Sequence, residues 1–171
     1  MNFEKFNYVY GKGEGATFIM IETLKKTWNK ELSEEEKEGL NKWINPENWS
    51  FPQRVLPEAY LEFLKYDNGA IFGNGDRYFQ FFTCQDDGNV GLREMNISYE
   101  FPEYMKGGVS FAMDGCGNHY IFDMRKEAVN GEYPILTCSS GCLSFEDSKL
   151  VGQTFFEVLN GKTSMDSILF D

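Results

Sequence analysis

The chain has 171 residues, of which 42% are hydrophobic and 16% are aromatic. This length and composition suit one folded domain with a single apolar core, and they argue against extensive disorder. The chain carries 16 basic and 27 acidic side chains, a net charge of −11. Such an acidic balance argues against nucleic acid as a partner, because nucleic-acid affinity comes largely from Lys and Arg, and it suits a basic protein partner.

The N-terminus and the cysteines bear on location. Residues 1–15 contain charges and glycines but no apolar stretch, so they do not resemble a secretory signal. No stretch approaches the roughly 20 apolar residues of a membrane span. We therefore expect a cytoplasmic protein without membrane contact, in which the four cysteines stay reduced.

The N-terminal part of the chain predicts a short strand and two helices. Residues 3–10 alternate loosely between apolar and polar, as a short strand does. Apolar residues at helical spacing predict a helix over residues 16–28. Ser33 and Glu36 have the spacing of a capping box, which predicts a second helix from Ser33 to about Ile44. The acidic run that opens this helix suits the positive end of the helix dipole.

The best-defined element spans residues 56–69, with the sequence LPEAYLEFLKYDNG. Pro57 suits a first helical turn, where the missing N–H needs no partner, and the acidic residue after it suits the helix dipole. The apolar residues of the stretch fall on one helical face. Asn68 and Gly69 predict the end of the helix, because both tolerate left-handed backbone. The residues that define the pattern are Leu56, Pro57, Tyr60, Phe63, Leu64, Asn68 and Gly69.

The second half of the chain predicts mainly strands. A glycine-rich turn region at residues 69–77 precedes the first of these strands, and an irregular stretch at 96–108 follows that strand. The DGCGN turn at 114–118 lies between two apolar runs, which is typical of a β-hairpin. The predicted strands are 78–82, 109–113, 119–123 and 134–137, and a helix over 150–160 follows them.

This order of elements predicts an α+β fold. Strands and helices do not alternate as they do in a doubly wound parallel sheet. We expect a single domain over residues 1–171, with an antiparallel, mixed-order sheet of about four to six strands and helices packed on one side.

His119 is the one histidine, and Cys116 precedes it by three residues. A Cys/His nucleophile would need both side chains in contact and a third group to orient the imidazole, and no local signature accompanies this pair. Cys116 and His119, with Cys138 and Cys142, have the spacing of two zinc knuckles. Ordinary turn residues and reduced cysteines explain the same pattern. We expect no catalytic residue, cofactor or metal, and the zinc set stands as an alternative.

Acidic residues cluster at the predicted turns and loops. Paired carboxylates can serve glycoside or metal chemistry, but turns favour Asp in any case. The loops at 78–89 and 96–106 combine acids with aromatic residues, and aromatic residues are enriched at protein interfaces. The partner-binding residues expected from them are Tyr78, Asp86, Asp87, Glu100 and Glu103.

The stretch 56–69 resembles the signature of the SUKH superfamily (Smi/Knr-like domains). In that signature a Leu-Pro, an aromatic residue and an apolar pair precede Asn-Gly-Gly, and Ala70 here replaces the second glycine. The run FAMDGCGNHYIFD resembles the family's strand–turn–strand, with Asp114 and Gly115 in the turn. The resemblance is best over residues 49–161, and residues 1–48 add a strand and helices.

The resemblance implies a non-enzymatic domain that binds another protein. Bacterial members are commonly immunity proteins that neutralise a toxin, often a nuclease. The partner implied is therefore a basic toxin domain, which an acidic surface would bind and occlude. Fungal relatives regulate cell-wall synthesis, so a regulatory scaffold is the alternative function. We expect a monomer or a weak homodimer.

Overall fold

The computed structural model describes residues 2–40, 42–85 and 90–170. Within these ranges the chain forms one antiparallel sheet of seven strands and seven α-helices, the α+β class expected from the sequence. The strands are β1 (Asn7–Tyr8), β2 (Ile71–Asn74), β3 (Arg77–Phe81), β4 (Gly108–Met113), β5 (Asn118–Asp123), β6 (Ile135–Ser139) and β7 (Lys149–Gly152). The helices are α1 (Phe18–Thr27), α2 (Glu34–Gly39), α3 (Glu58–Tyr66), α4 (Leu92–Ser98), α5 (Phe101–Tyr104), α6 (Phe155–Asn160) and α7 (Met165–Phe170).

The sheet is a meander in which each strand pairs with the next one in the chain, from β1 to β7. We expected a mixed order and four to six strands. The described residues instead give seven strands in strict chain order, because two stretches predicted as turn and helix are strands.

Among residues 2–40, 42–85 and 90–170, no helix combines the length and apolar character that crossing a bilayer requires.

β2 lies in the segment that we predicted as a glycine-rich turn. Its Gly73 pairs with Tyr78 of β3, and only Gly75 and Asp76 form the turn between the two strands. Gly75 has a φ of 63°, which L side chains rarely adopt. The prediction was wrong because glycine generally disfavours strands, whereas here pairing with β3 decides the conformation.

The structure also divides the helix that we predicted over residues 150–160. The first part is β7, which pairs with β6. α6 begins only after Thr154, whose Oγ1 accepts the backbone N–H of Glu157 at 3.2 Å. Leu150 and Val151 fit either an apolar helical face or a short strand, so periodicity alone did not separate the two.

The larger core lies between one face of the sheet and α1, α3 and α6. Tyr60 and Phe63 of α3 are fully buried. The ring of Phe63 lies 4.5 Å from that of Phe81 and 5.9 Å from that of Phe155, so one helical residue joins the sheet to α6. Leu56 and Leu64 are also buried. Each such side chain contributes roughly 1.5–3 kcal/mol through burial.

Asn68 and Gly69 do not end α3 in the way that we predicted. The helix ends at Tyr66, and Asp67, the residue after it, has extended backbone. The Asn68 side chain instead accepts the backbone N–H of Cys84 at 2.9 Å. Gly69 has a φ of 95°, and a Cβ there would lie 2.9 Å from Thr83 Cγ2. The pair therefore fastens the end of α3 to the chain that follows β3.

The opposite face of the sheet is covered in its middle by α5. Side chains alternate between faces along β5, so Tyr120 joins the larger core and Ile121 points away from it. Ile121 belongs to a smaller cluster with Phe101 and Met105. The helices therefore lie on both faces, not on one side as expected. α5 and the last residues of α4 lie in the stretch 96–108, which we expected to be irregular, and the four residues of α5 are too few for a clear periodic signal.

Candidate partner-binding surface

A cleft opens between α2 and α4, two helices that lie far apart in the sequence. Arg93 of α4 joins them, because its Nε and Nη2 donate to the Glu36 carboxylate at 2.6 and 2.8 Å. The same guanidinium donates to four backbone carbonyls at the C-terminal end of α1 and beyond it. These belong to Thr27, Trp28, Lys30 and Glu31, at 2.9–3.3 Å.

Glu36 is committed to this junction. Its carboxylate also accepts the backbone N–H of Ser33 at 2.7 Å, while Ser33 Oγ accepts the N–H of Glu36 at 3.2 Å. This is the capping box that the sequence predicts. The hydrogen bond from Arg93 holds the pKa of Glu36 below its usual value of 4.5. α2 and α4 are thus held in a defined arrangement by an ionised pair.

The α2–α4 cleft has a volume of about 760 Å³. Aliphatic side chains line part of it: Leu40, Ile44 and Ile97. Leu40 and Ile44 lie beyond the end of α2, which stops at Gly39 and is shorter than we predicted. Four acidic residues also line it, namely Glu35, Glu36, Glu94 and Glu100. The cleft therefore combines an apolar surface with an acidic one.

Two smaller clefts adjoin the first. One of about 450 Å³ is lined by Trp43, Glu103 and Tyr104 among others. The other, of about 510 Å³, lies between Tyr104 and the loop at 140–144. Glu100 lines all three. Among the described residues that line them, none is Lys or Arg, so every charged side chain in these linings is acidic.

Glu100 has an uncommon backbone conformation. Its φ of 57° and ψ of 32° place it in the left-handed region, where residues other than Gly and Asn are rare. Its backbone makes the corner between α4 and α5, donating to Ile97 O at 2.9 Å and accepting from the N–H of Glu103 and Tyr104. No hydrogen bond or ion pair to its carboxylate is seen within the described ranges. The corner thus presents a carboxylate at the meeting point of three clefts.

Glu103 combines a structural contact with a place on this surface. Its Oε2 accepts a hydrogen bond from Trp49 Nε1 at 2.8 Å, which ties α5 to the segment before α3. Two aromatic side chains beside it are exposed, Trp43 by 81% and Tyr104 by 58%. The Nζ of Lys42 lies 4.8 Å from the Trp43 ring centroid. Aromatic residues are enriched at protein interfaces, and polar residues form the interface rim, so Trp43 and Tyr104 suit a binding surface bordered by acids.

Of the three other residues expected to bind a partner, the structure describes Tyr78. Tyr78 lies in β3, half-buried, beside Gly115 of the following hairpin turn. It lines none of the three clefts. Asp86 and Asp87 lie outside the described residues. Glu35 was not among the residues expected to bind a partner, because the helix start accounts for the acidic run at 34–36.

His119 is fully buried beneath α4 and α5. Its Nδ1 lies 2.8 Å from Ser110 Oγ, and the rings of Tyr99 and Phe101 pack against it edge-on at 4.6 and 5.1 Å. Burial lowers the pKa of His119 to about 4, so the imidazole is neutral near pH 7. Cys116 is exposed in the neighbouring turn. The imidazole therefore contacts Ser110, and the Cys/His pair considered from the sequence is not formed.

The four zinc candidates do not converge. Among the residues that the structure describes, no group of three or more His, Cys, Asp or Glu is placed to hold a metal ion. Cys138 is buried, and its thiol donates to Cys142 O at 2.9 Å. Cys142 is exposed and lies 3.3 Å from an Asp147 oxygen. Burial raises the pKa of the Cys138 thiol, and the contact with Asp147 raises that of Cys142.

Asp114 and Gly115 shape the hairpin turn between β4 and β5. One Asp114 oxygen accepts the backbone N–H groups of Cys116 and Asn118 at 2.8 and 3.0 Å. The other accepts from the Asn118 side chain at 2.7 Å, and that side chain also donates to Asp166 of α7. These residues therefore have structural contacts.

The comparison with protein families gives a match. The sequence model of the SMI1 / KNR4 family (SUKH-1) matches residues 50–161, well over half of the chain. The matched range contains α4, α5 and the Glu100 corner, whereas α2 and Trp43 lie before it. A search of curated proteins found no match. The resemblance noted from α3 and the β4–β5 hairpin is thus confirmed, and the chain belongs to the SMI1/KNR4 family (SUKH-1).

Proposed function

We propose that this protein is an immunity protein, which binds a cognate toxin domain and occludes its active site. Its family includes immunity proteins and regulators of cell-wall synthesis. The observation that carries the proposal is the set of three adjoining clefts that meet at Glu100. Carboxylates and exposed aromatic side chains line them, and no Lys or Arg does so among the described residues.

A nuclease is the toxin class that best fits this surface. Nuclease active sites bind phosphates and are therefore basic, and a surface of opposite potential accelerates association and suppresses wrong partners. The net charge of −11 adds a long-range field of the same sign. Inhibition by occlusion requires a stable complex and no chemical step. It would take place in the cytoplasm, where the nuclease finds its substrate.

Co-expression with the toxin encoded beside the gene tests the proposal. We expect the host to survive only when the protein is present, and the two chains to purify as one complex. Persistent toxicity with no complex would refute the proposal. A gene neighbourhood without a toxin, together with a stable complex with a non-toxic host protein, would instead support a regulatory scaffold, the other function found in the family.

A further inference from the structure

We infer that the α2–α4 cleft is a groove for one amphipathic, basic helix of the protein partner. This inference rests on the proposed function and names the part of the toxin that is recognised. Leu40 and Ile44 are partly buried against the main core but still line the cleft, so they can pack against an apolar stripe, while Glu35 and Glu100 lie beside them. Apolar side chains flanked by Lys or Arg are the complement of this arrangement.

The charge of the groove is available to a partner. Glu36 is already neutralised by Arg93, and the nearby Lys37 pairs with Glu34, outside the groove lining, at 2.7 Å. Glu35 and Glu100 have no such cation in the described part of the chain. An incoming Lys or Arg would therefore meet carboxylates that need not exchange an existing salt bridge.

The lining distinguishes a helix from other peptide conformations. Strand addition needs the free backbone groups of a sheet edge, and this groove is lined by helices and the segments that flank them. Polyproline segments bind grooves lined by aromatic residues, whereas Leu40, Ile44 and Ile97 are aliphatic. Phosphorylated segments need Arg clusters. Among these recurring modes, a helix laid into a groove is the one that fits.

Both walls of the groove are fixed before a partner arrives. Arg93 holds α2 against α4, as described above. Asn96 holds α4 against the sheet, because its side chain donates to Ser110 O at 2.7 Å and accepts the Ser110 N–H at 2.8 Å. A preformed groove loses little conformational entropy on binding, so its contacts contribute to affinity directly.

A peptide titration on the full chain tests the inference. The probe is a labelled helix of about 15 residues, near the length at which isolated helices form, with Leu on one face and Lys beside it. We expect it to bind, and we expect the same peptide with Glu in place of Lys not to bind. Failure of the wild-type chain to bind the Lys peptide would overturn the inference.

Matched variants separate the groove from net charge. Glu35 and Glu38 both lie exposed on α2, but only Glu35 lines the groove. We expect Glu35→Lys to weaken peptide binding by at least about tenfold, as loss of a close charge pair does, and Glu38→Lys to change it by less than about twofold. Equal weakening by the two variants would show that only net charge matters and would overturn the inference.

The apolar part of the groove has its own control, and the toxin assay separates the two proposals. We expect Leu40→Ser to weaken peptide binding and Val55→Ser, at a site exposed by 75% elsewhere, to leave it unchanged. If the wild type neutralises the neighbouring toxin and Glu35→Lys and Leu40→Ser do so equally well, the groove inference fails while the proposed function stands. If the wild type does not neutralise it, the proposed function fails, and the peptide titration still decides the groove.

Discussion

Replacing Arg93 with Ala should remove the junction that holds α1, α2 and α4 together. The Arg93 side chain is 9% exposed, and its guanidinium donates to Glu36 and to four backbone carbonyls. It also lies 5.0 Å from the ring of Phe51. After the substitution the carbonyls at the end of α1 lose their donor, and the Glu36 carboxylate loses its counter-ion.

The expected loss of unfolding free energy depends on how far the Arg93–Glu36 pair is exposed to water. Breaking a fully buried ion pair by removing one partner costs about 3–5 kcal/mol. The Glu36 side chain is 27% exposed, so solvent can compensate part of the loss. We therefore expect the free energy of unfolding to fall by about 2–3 kcal/mol. That is a large share of the roughly 5–15 kcal/mol typical of a domain.

Urea denaturation measures this loss. With a typical slope for a small protein, the midpoint should move down by roughly 1 M or more at an unchanged slope. Arg125→Ala is the matched control, since Arg125 pairs with Asp123 at the surface and is 48% exposed. It should cost at most about 1 kcal/mol. Equal and small losses for the two variants would refute the reasoning that Arg93 is a structural junction.

The pH dependence of the same pair gives an independent readout. The pKa of Glu36 is lowered in the folded state from 4.5. The folded chain therefore binds this proton less readily than the unfolded chain, and the stabilisation is fully present above pH 4.5. It is lost as the pH falls from that value through the lowered pKa. Arg93→Ala should make the unfolding free energy less dependent on pH in this window.

Three further substitutions test other parts of the structure. Asn96→Ala removes both hydrogen bonds to the Ser110 backbone and should lower the unfolding free energy, measured in urea, by about 2–3 kcal/mol. The control Asn7→Ala, at an exposed site of β1, should change it little. Gly69→Ala should lower the unfolding free energy by about 1–2 kcal/mol, because φ is 95° and the new Cβ would clash with Thr83. Gly39→Ala is the control and should not destabilise the protein, because a Cβ at that position has no atom within 4 Å. For His119, the pKa of about 4 lies below the usual 6.5, so the unfolded chain binds more protons between these values and stability rises with pH there. His119→Gln should flatten that rise in unfolding free energy measured from pH 4 to 6.5, and an unchanged slope would contradict the assignment.

The sequence predicts the parts of this fold that depend on local signals. The capping box at Ser33, the face of α3 and the DGCGN hairpin turn all occur where the pattern places them. The failures are of another kind. β2 contains Gly73, and β7 contains Leu150 and Val151 after Lys149. Local preference is therefore weak or ambiguous in both strands, and pairing across the sheet decides their conformation.

The candidate surface was only partly predictable for a related reason. Glu100 and Glu103 stood out as acids in an aromatic-rich loop. The cleft itself is formed by α2 and α4, whose contact depends on Arg93 reaching Glu36 across 57 positions of sequence. Nothing near Glu36 indicates that partner, and nothing near Glu35 distinguishes a groove-lining acid from a helix start. Long-range pairing of this kind has no signal in the periodicity of a single sequence.

The Glu100 corner joins stability and function in one residue. A left-handed residue other than Gly or Asn costs about 1–2 kcal/mol, and Asn tolerates this conformation better. Asn130 shows the difference within the same chain, since it has a φ of 54° and is exposed. We therefore expect Glu100→Asn to raise the unfolding free energy by about 0.5–1 kcal/mol and Asn130→Glu to lower it by a similar amount.

Binding should move in the opposite direction from stability at this corner. Glu100→Asn removes the carboxylate that all three clefts share, so the variant should fold more stably and bind the partner more weakly. Residue 130 lines none of the three clefts, so Asn130→Glu should not weaken binding. Urea denaturation and affinity for the cognate toxin, measured on the same samples, make the comparison. If Glu100→Asn binds as tightly as the wild type, the corner serves only to connect α4 and α5. If stability rises while affinity falls, Glu100 is a strained residue whose carboxylate serves recognition.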